Sequence, residues 1–255
     1  MTKKICINLI LISLQYTSVT YNLKEFTMAL YDRDYTANDA GYVQEGASVS
    51  FMKQTYQLMA ASMIAAAAGA YVTMPFAEQV IQFKWLIFGA ELLILFFGLR
   101  MTRGHAGANL AMLFAFTFLT GVSLVPLLAS LIGMGQGAMI GNAFLMTSVL
   151  FGALSMFAIN SKSDFSSWGK PLFITLIVVI VASLVNYFIL QSPMMHIIIT
   201  AGILLLFSIF TIYDTQNIAN GAYDSPVDAA VSLYIDFLNM FTAMLQLLGI
   251  FGGDD

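Results

Sequence analysis

From Phe51 to Phe251 the sequence is a succession of apolar stretches about as long as a bilayer is thick, broken by short polar or proline-marked joints. This feature restricts the chain more than any other. In hydrocarbon, each backbone N–H and C=O must find its partner within the protein, so only helices and closed barrels can cross. A crossing helix needs about 20 apolar residues, and stretches of that length predict helices. Only 9% of the residues are charged, against about 25% in a soluble domain. The fold class expected is an all-α integral membrane protein.

Seven spans are predicted, at residues 53–74, 82–101, 107–131, 135–159, 171–190, 194–219 and 227–250. Pro75 is read as the stop of the first, Pro126 as a kink in the third, Pro171 as the start of the fifth, and Ser225-Pro226 as the start of the last. Residues 1–27 stand apart: Lys3-Lys4 precede an apolar run from Ile5 to Leu14. That segment is either a leader or an upstream extension with Met28 as the true start. Residues 28–50, with Asp32, Asp34, Asp39 and Glu45, read as a loose polar cytoplasmic tail. Residues 51–251 form the membrane domain. Arg100 and Arg103 in one joint, Lys162 and Lys170 in another, and Arg33 and Lys53 before the first span fall on one side, expected to be cytoplasmic; Lys84 dissents. The N-terminus is then cytoplasmic, and Asp254-Asp255 lie outside.

Several functions are disfavoured. No basic run points to nucleic acid. Cys6 is the one cysteine, and His105 and His196 are far apart in sequence, so no metal site, cofactor or disulfide is expected.

Apart from Asp228 at the entrance of the last span, three acids fall inside the predicted spans: Glu91, Asp214 and Asp236. An ionisable group at bilayer depth is costly and marks a functional site by default. Asp214 and Asp236 lie on consecutive antiparallel spans, within about one turn of the same level. Two carboxyls in contact share a proton and titrate as a unit. On the last span Asp228, Ser232, Asp236, Asn239 and Gln246 form one helical stripe. A polar stripe cannot face lipid, which predicts that this helix is central and wrapped by the other six. Ser232 and Asn239, with Glu91, are candidates for a polar path; the plainer reading of such residues is interhelical hydrogen bonding. Glu91 either lines that path or sits protonated and hydrogen-bonded. Arg100 and Arg103 are candidates to hold the pair by an arginine fork, or are interfacial anchors.

The stretches Ile212-Tyr-Asp-Thr-Gln-Asn-Ile218, Ala230-Val-Ser-Leu-Tyr-Ile-Asp-Phe-Leu-Asn-Met-Phe241 and Leu247-Leu-Gly-Ile-Phe251 resemble the Bax inhibitor-one, or transmembrane Bax-inhibitor-motif, family. The likeness extends over about residues 50–251. It implies seven helices, the last wrapped by two groups of three. It also implies a pH-dependent calcium leak, associated in animals with suppression of cell death. By the same likeness Asp214 and Asp236 are a proton-sharing pair latched by an arginine of the second helix. Counting from Glu91, the latch position falls on Thr102, with Arg100 and Arg103 nearby.

Three functions compete. The first is a pH-sensitive calcium leak channel gated by the aspartate pair, with calcium as permeant and in transient contact with Asp214 and Asp236. The second is a non-transporting regulator that binds membrane proteases or other membrane proteins. The third is an intramembrane aspartyl protease; Leu233-Tyr-Ile-Asp236 lacks that enzyme class's Gly-x-Gly-Asp, and Gly252-Gly-Asp-Asp255 lies outside the spans. The expectation is therefore a non-enzyme in a bacterial inner membrane, in contact with lipid.

Overall fold

A computed structural model describes residues 37–251, and all of its regular structure is helical. The readings for residues 1–27 and for the Gly252–Asp255 ending lie outside the described residues. Helix α1 spans Ala37–Thr73, so residues 37–50, read from their acids and glycines as loose tail, are helical instead. A tight turn, Met74–Phe76, with Pro75 at its start, leads into α2, Ala77–Gln82. Pro75 therefore does not end the first apolar run. Proline lacks an N–H that the first turn of a helix does not use, and the chain resumes its helical course beyond it.

Next come α3, Lys84–Leu93, a wide π turn, Ile94–Gly98, and α4, Leu99–Met101. Then follow α5, Ala106–Gly133; α6, Ala138–Asn160; α7, Gly169–Val185, extended by a second π turn, Asn186–Leu190; α8, Pro193–Ala219; and α9, Pro226–Phe251. Helix α5 continues through Pro126. Six helical stretches among the described residues are long and apolar enough to cross a membrane: 49–82, 106–133, 138–160, 166–190, 193–219 and 226–250. The segment expected as the second of seven spans, 82–101, is helical but is built in three pieces and carries Lys84, Glu91 and Arg100.

Helix α9 is the most enclosed of the six, with 44% of its most apolar window buried, against 11% for the stretch containing α7. It packs on α8, α6 and α5, and Leu233, Met240 and Leu245 are fully buried. The ring of Phe237 meets Phe144 and Phe151 edge-on. Helices α1 and α5 approach backbone to backbone: a Cβ added at Gly121 would lie 1.9 Å from the Ala66 carbonyl oxygen, and one at Gly69 would lie 2.2 Å from that of Phe118. Small residues at such crossings are how apolar helices gain contact without a hydrophobic drive between them.

The joint between α8 and α9 is specified locally. Asn220 caps α8, Gly221 takes φ +73°, and the N–H groups of Gly221 and Ala222 return to the carbonyls of Ile218 and Asn217. This is a Schellman end, in which glycine takes the left-handed position. Helix α9 then opens on Pro226, with the Ser225 hydroxyl accepting the Val227 N–H at 3.2 Å. In the joint between α6 and α7, the exposed Asp164 carboxylate accepts the Ser166 N–H at 2.8 Å, and that bond holds its carboxyl below the usual range.

Candidate functional site

The buried face of α8 carries Thr211, Asp214, Thr215 and Ile218, and meets the α9 face carrying Ser232, Asp236 and Met240. Asp214 is 6% exposed and Asp236 3%. Ser232, one turn before Asp236, reaches Asp214 from α9, so the two carboxyls share one interface and interact across it. Two carboxylates have no proton to offer each other, so a direct hydrogen bond between these groups needs a shared proton, which leaves one negative charge on the pair.

Asp214 is met by neutral hydroxyls. Ser232 Oγ donates to Asp214 Oδ2 at 2.6 Å. The Tyr223 hydroxyl, from the joint between α8 and α9, lies 3.1 Å from Asp214 Oδ1 and 3.0 Å from Ser232 Oγ, within donating distance of either oxygen. Asp236 Oδ2 is buried and has no hydrogen-bond partner. A buried acceptor without a donor costs about 1–3 kcal/mol, which makes this oxygen the one place in the site with unused capacity for a positive charge or a proton. The arrangement can therefore gain or lose protons and can offer a carboxylate oxygen to a cation.

The arginines do not reach the pair. Arg103 Nη2 forms an ion pair with Asp228 Oδ2 at 3.0 Å, with the Arg103 side chain 59% exposed, and Arg100 is exposed. At such exposure the ion pair contributes at most about 1 kcal/mol. The reason for the departure is local: the helical rod ends at Met101, and Thr102, at the latch position, turns inward. Its hydroxyl donates to the Gly98 carbonyl at 2.8 Å and accepts from Asn109 Nδ2 at 3.1 Å. Arg103 then lies beyond the turn, level with the start of α9 rather than with Asp236.

The polar stripe on α9 divides among several sites. Ser232 joins the aspartates. Asn239 donates to the Ile235 carbonyl of its own helix at 2.8 Å. Gln246 lines a separate cavity of about 350 Å³ with Trp85, Asn186, His196 and Thr200. Glu91 is buried at a different place, where Ser123 Oγ donates to its Oε1 at 2.5 Å; on the same stretch of α5, Thr120 is hydrogen-bonded to the Tyr234 hydroxyl.

Two residues at the site carry no signal in a helical pattern. Tyr223 lies in a short polar joint, where the one hint is an aromatic ring with no helix face of its own. Gln216, two residues beyond Asp214, accepts the Phe165 N–H at 2.6 Å and donates to the Ser163 carbonyl at 2.8 Å. It fastens α8 to the joint between α6 and α7.

The chain is similar to a set of bacterial proteins. It is 47% identical over 231 residues to an uncharacterized protein of Helicobacter pylori strain J99, covering 89% of this chain and all of that one. It is 35% identical over 210 residues to an uncharacterized membrane protein of Vibrio cholerae, covering 80% of this chain and 91% of that one. Over 141 residues it is 33% identical to the Escherichia coli protein named modulator of FtsH protease YccA, covering 55% of this chain and 64% of that one. Residues 48–253 match the family model described as inhibitor of apoptosis-promoting Bax1, and the chain is a membrane protein belonging to that Bax inhibitor-1 family.

Proposed function

We propose that this protein is a pH-sensitive calcium leak channel whose gate is the Asp214–Asp236 pair. One observation carries the reading: two buried carboxyls at the α8–α9 interface, with Asp236 Oδ2 free of any hydrogen bond. Carboxylate oxygens are hard ligands suited to calcium. A second proton would cancel the pair's charge, and loss of the shared proton would set two carboxylates against each other. Either change alters the hydrogen bonding that Asp214 offers its neighbours, which is how a local charge event biases a two-state element.

In this reading the broken 82–101 rod is the second of seven spans, lying against α5, and α9 is the central helix. The end bearing Arg100, Arg103, Lys162 and Lys170 is cytoplasmic, and the membrane is a bacterial inner membrane. Calcium passes in transient contact with the pair. Both oxygens of Asp214 are held by hydroxyl donors, an arrangement suited to a switch more than to the acid and base of peptide hydrolysis.

The test is calcium influx into liposomes carrying the protein, scanned from about pH 5 to 8, beside Asp214→Asn and Asp236→Asn. Flux that varies with pH in the parent and loses that dependence in both variants is the expected result. Background flux at every pH in a folded parent overturns the proposal.

A second reading is favoured by the likeness to the E. coli protease modulator: a regulator that binds a membrane protease. It predicts co-purification with such a protease that survives the double Asp→Asn change.

A further inference from the structure

We propose that Tyr223 is the latch of the aspartate pair in this chain, a neutral hydroxyl holding the position for which an arginine was expected, and that the joint 220–225 is the lid it closes. The inference rests on the reading of the pair as a gate and specifies how that gate is held shut.

Three observations carry it. First, the Tyr223 hydroxyl reaches Asp214 on α8 and Ser232 on α9 together, at 3.1 and 3.0 Å, so one side chain from a joint ties the two helices that bear the carboxyls. Second, neither arginine competes for the role: Arg103 is spent on Asp228, Arg100 is exposed, and Thr102 is turned into its own helix end. Third, the joint is a short segment with a defined end on each side. It leaves α8 at Gly221, whose φ of +73° is open to glycine, and it re-enters helix at Pro226. Ser225, Pro226 and Val227 border a cavity of about 560 Å³ that Gly104, Ala106 and Asn109 line from the other side. The segment has space beside it.

The charged groups around the phenol are few. Asp214 faces it from α8 and Asp236 from α9; Asp228, two turns before Asp236 on the same helix, is neutralised by Arg103. Burial first, and the charge on Asp214 second, push the phenol well above its ordinary range, so it remains a donor at every physiological pH. A latch of this kind does not ionise itself. It responds only to what Asp214 offers it.

Tyr223→Phe removes the hydroxyl and keeps the ring. The measurement is the rate at which a membrane-permeant carbodiimide modifies Asp214, read by mass spectrometry of the full chain in liposomes, with Glu91 as internal reference. Loss of one hydrogen bond predicts a rise of about threefold to tenfold in the Asp214-to-Glu91 ratio, and Arg103→Ala should leave the ratio as in the parent. An unchanged ratio in Tyr223→Phe overturns the latch, as does a rise in Arg103→Ala that Tyr223→Phe lacks. Calcium flux on the same liposomes separates the two claims. A raised ratio with no flux in the parent keeps the latch and removes the leak. Flux with an unchanged ratio keeps the leak and removes the latch.

Discussion

The close crossing of α1 and α5 gives a quantitative prediction that does not depend on function. In Gly121→Ala the new Cβ lies 1.9 Å from the Ala66 carbonyl oxygen and 2.8 Å from its Cα. Both are backbone atoms in the middle of a long helix and cannot swing aside. Ordinary contact begins near 3.4 Å, so the helices must separate by about 1.5 Å at that point. A gap of 0.5–1 Å already forfeits a quarter to a half of a dispersion contact, and overpacking of this kind costs ~1–3 kcal/mol before the rest of the crossing is counted. A loss of about 2–4 kcal/mol follows, read as a fall of about 5–12 °C in melting temperature for a domain of this size in detergent.

Gly69→Ala has the same fault at the neighbouring turn, 2.2 Å from the Phe118 carbonyl oxygen, and needs about 1.2 Å. The separation that admits one methyl admits the other. The double variant should therefore melt close to Gly121→Ala alone, well short of the sum of the two single losses. Gly152→Ala, with nothing near its added Cβ, should leave stability unchanged or raise it by about 0.5–1 kcal/mol. Strict additivity of the two crossing variants, or a Gly121→Ala melt within about 1 °C of the parent, would refute the reasoning.

Ser232→Ala removes the 2.6 Å donor to Asp214 and should cost about 1.5–3 kcal/mol in a detergent melt, as expected for a hydrogen bond to a charged group. Gln216→Ala breaks both bonds to the joint between α6 and α7; the Phe165 amide should exchange with solvent faster, while the amides around Leu233 stay protected. The Tyr223 phenol is pushed upward in the folded state, so its contribution is fully present below the ordinary tyrosine value near 10 and falls as pH rises past it. The stability difference between the parent and Tyr223→Phe should accordingly be constant from about pH 7 to 9 and shrink above about pH 10.

The parts legible in the sequence are those that depend on period and composition. Ser225-Pro226 marked the start of α9, and the stripe bearing Ser232 and Asp236 turns toward Asp214, as depth and spacing required. Pro75 misled because a proline can start a helical turn as well as stop one. The arginines misled because spacing along a helix says nothing about a side chain beyond its last turn: Thr102 ends the rod, and Arg103 lands beside Asp228. The partner of Glu91, Ser123, lies on another helix with no periodic link to it. Tyr223 was invisible because a joint has no face to read.

Gln216 has a mechanical consequence. It rivets α8 to the neighbouring joint two residues past Asp214, while Asp236 rides on the most enclosed helix of the bundle. Both carboxyls thus sit on stators. In the proposed gate, a change in the pair's proton count has little slack to take up by sliding its own mounts, and falls on the one attachment that is hung from a turn rather than set into a helix. On that proposal the aspartates are a fixed anvil, and the tyrosine is the part that strikes or lifts.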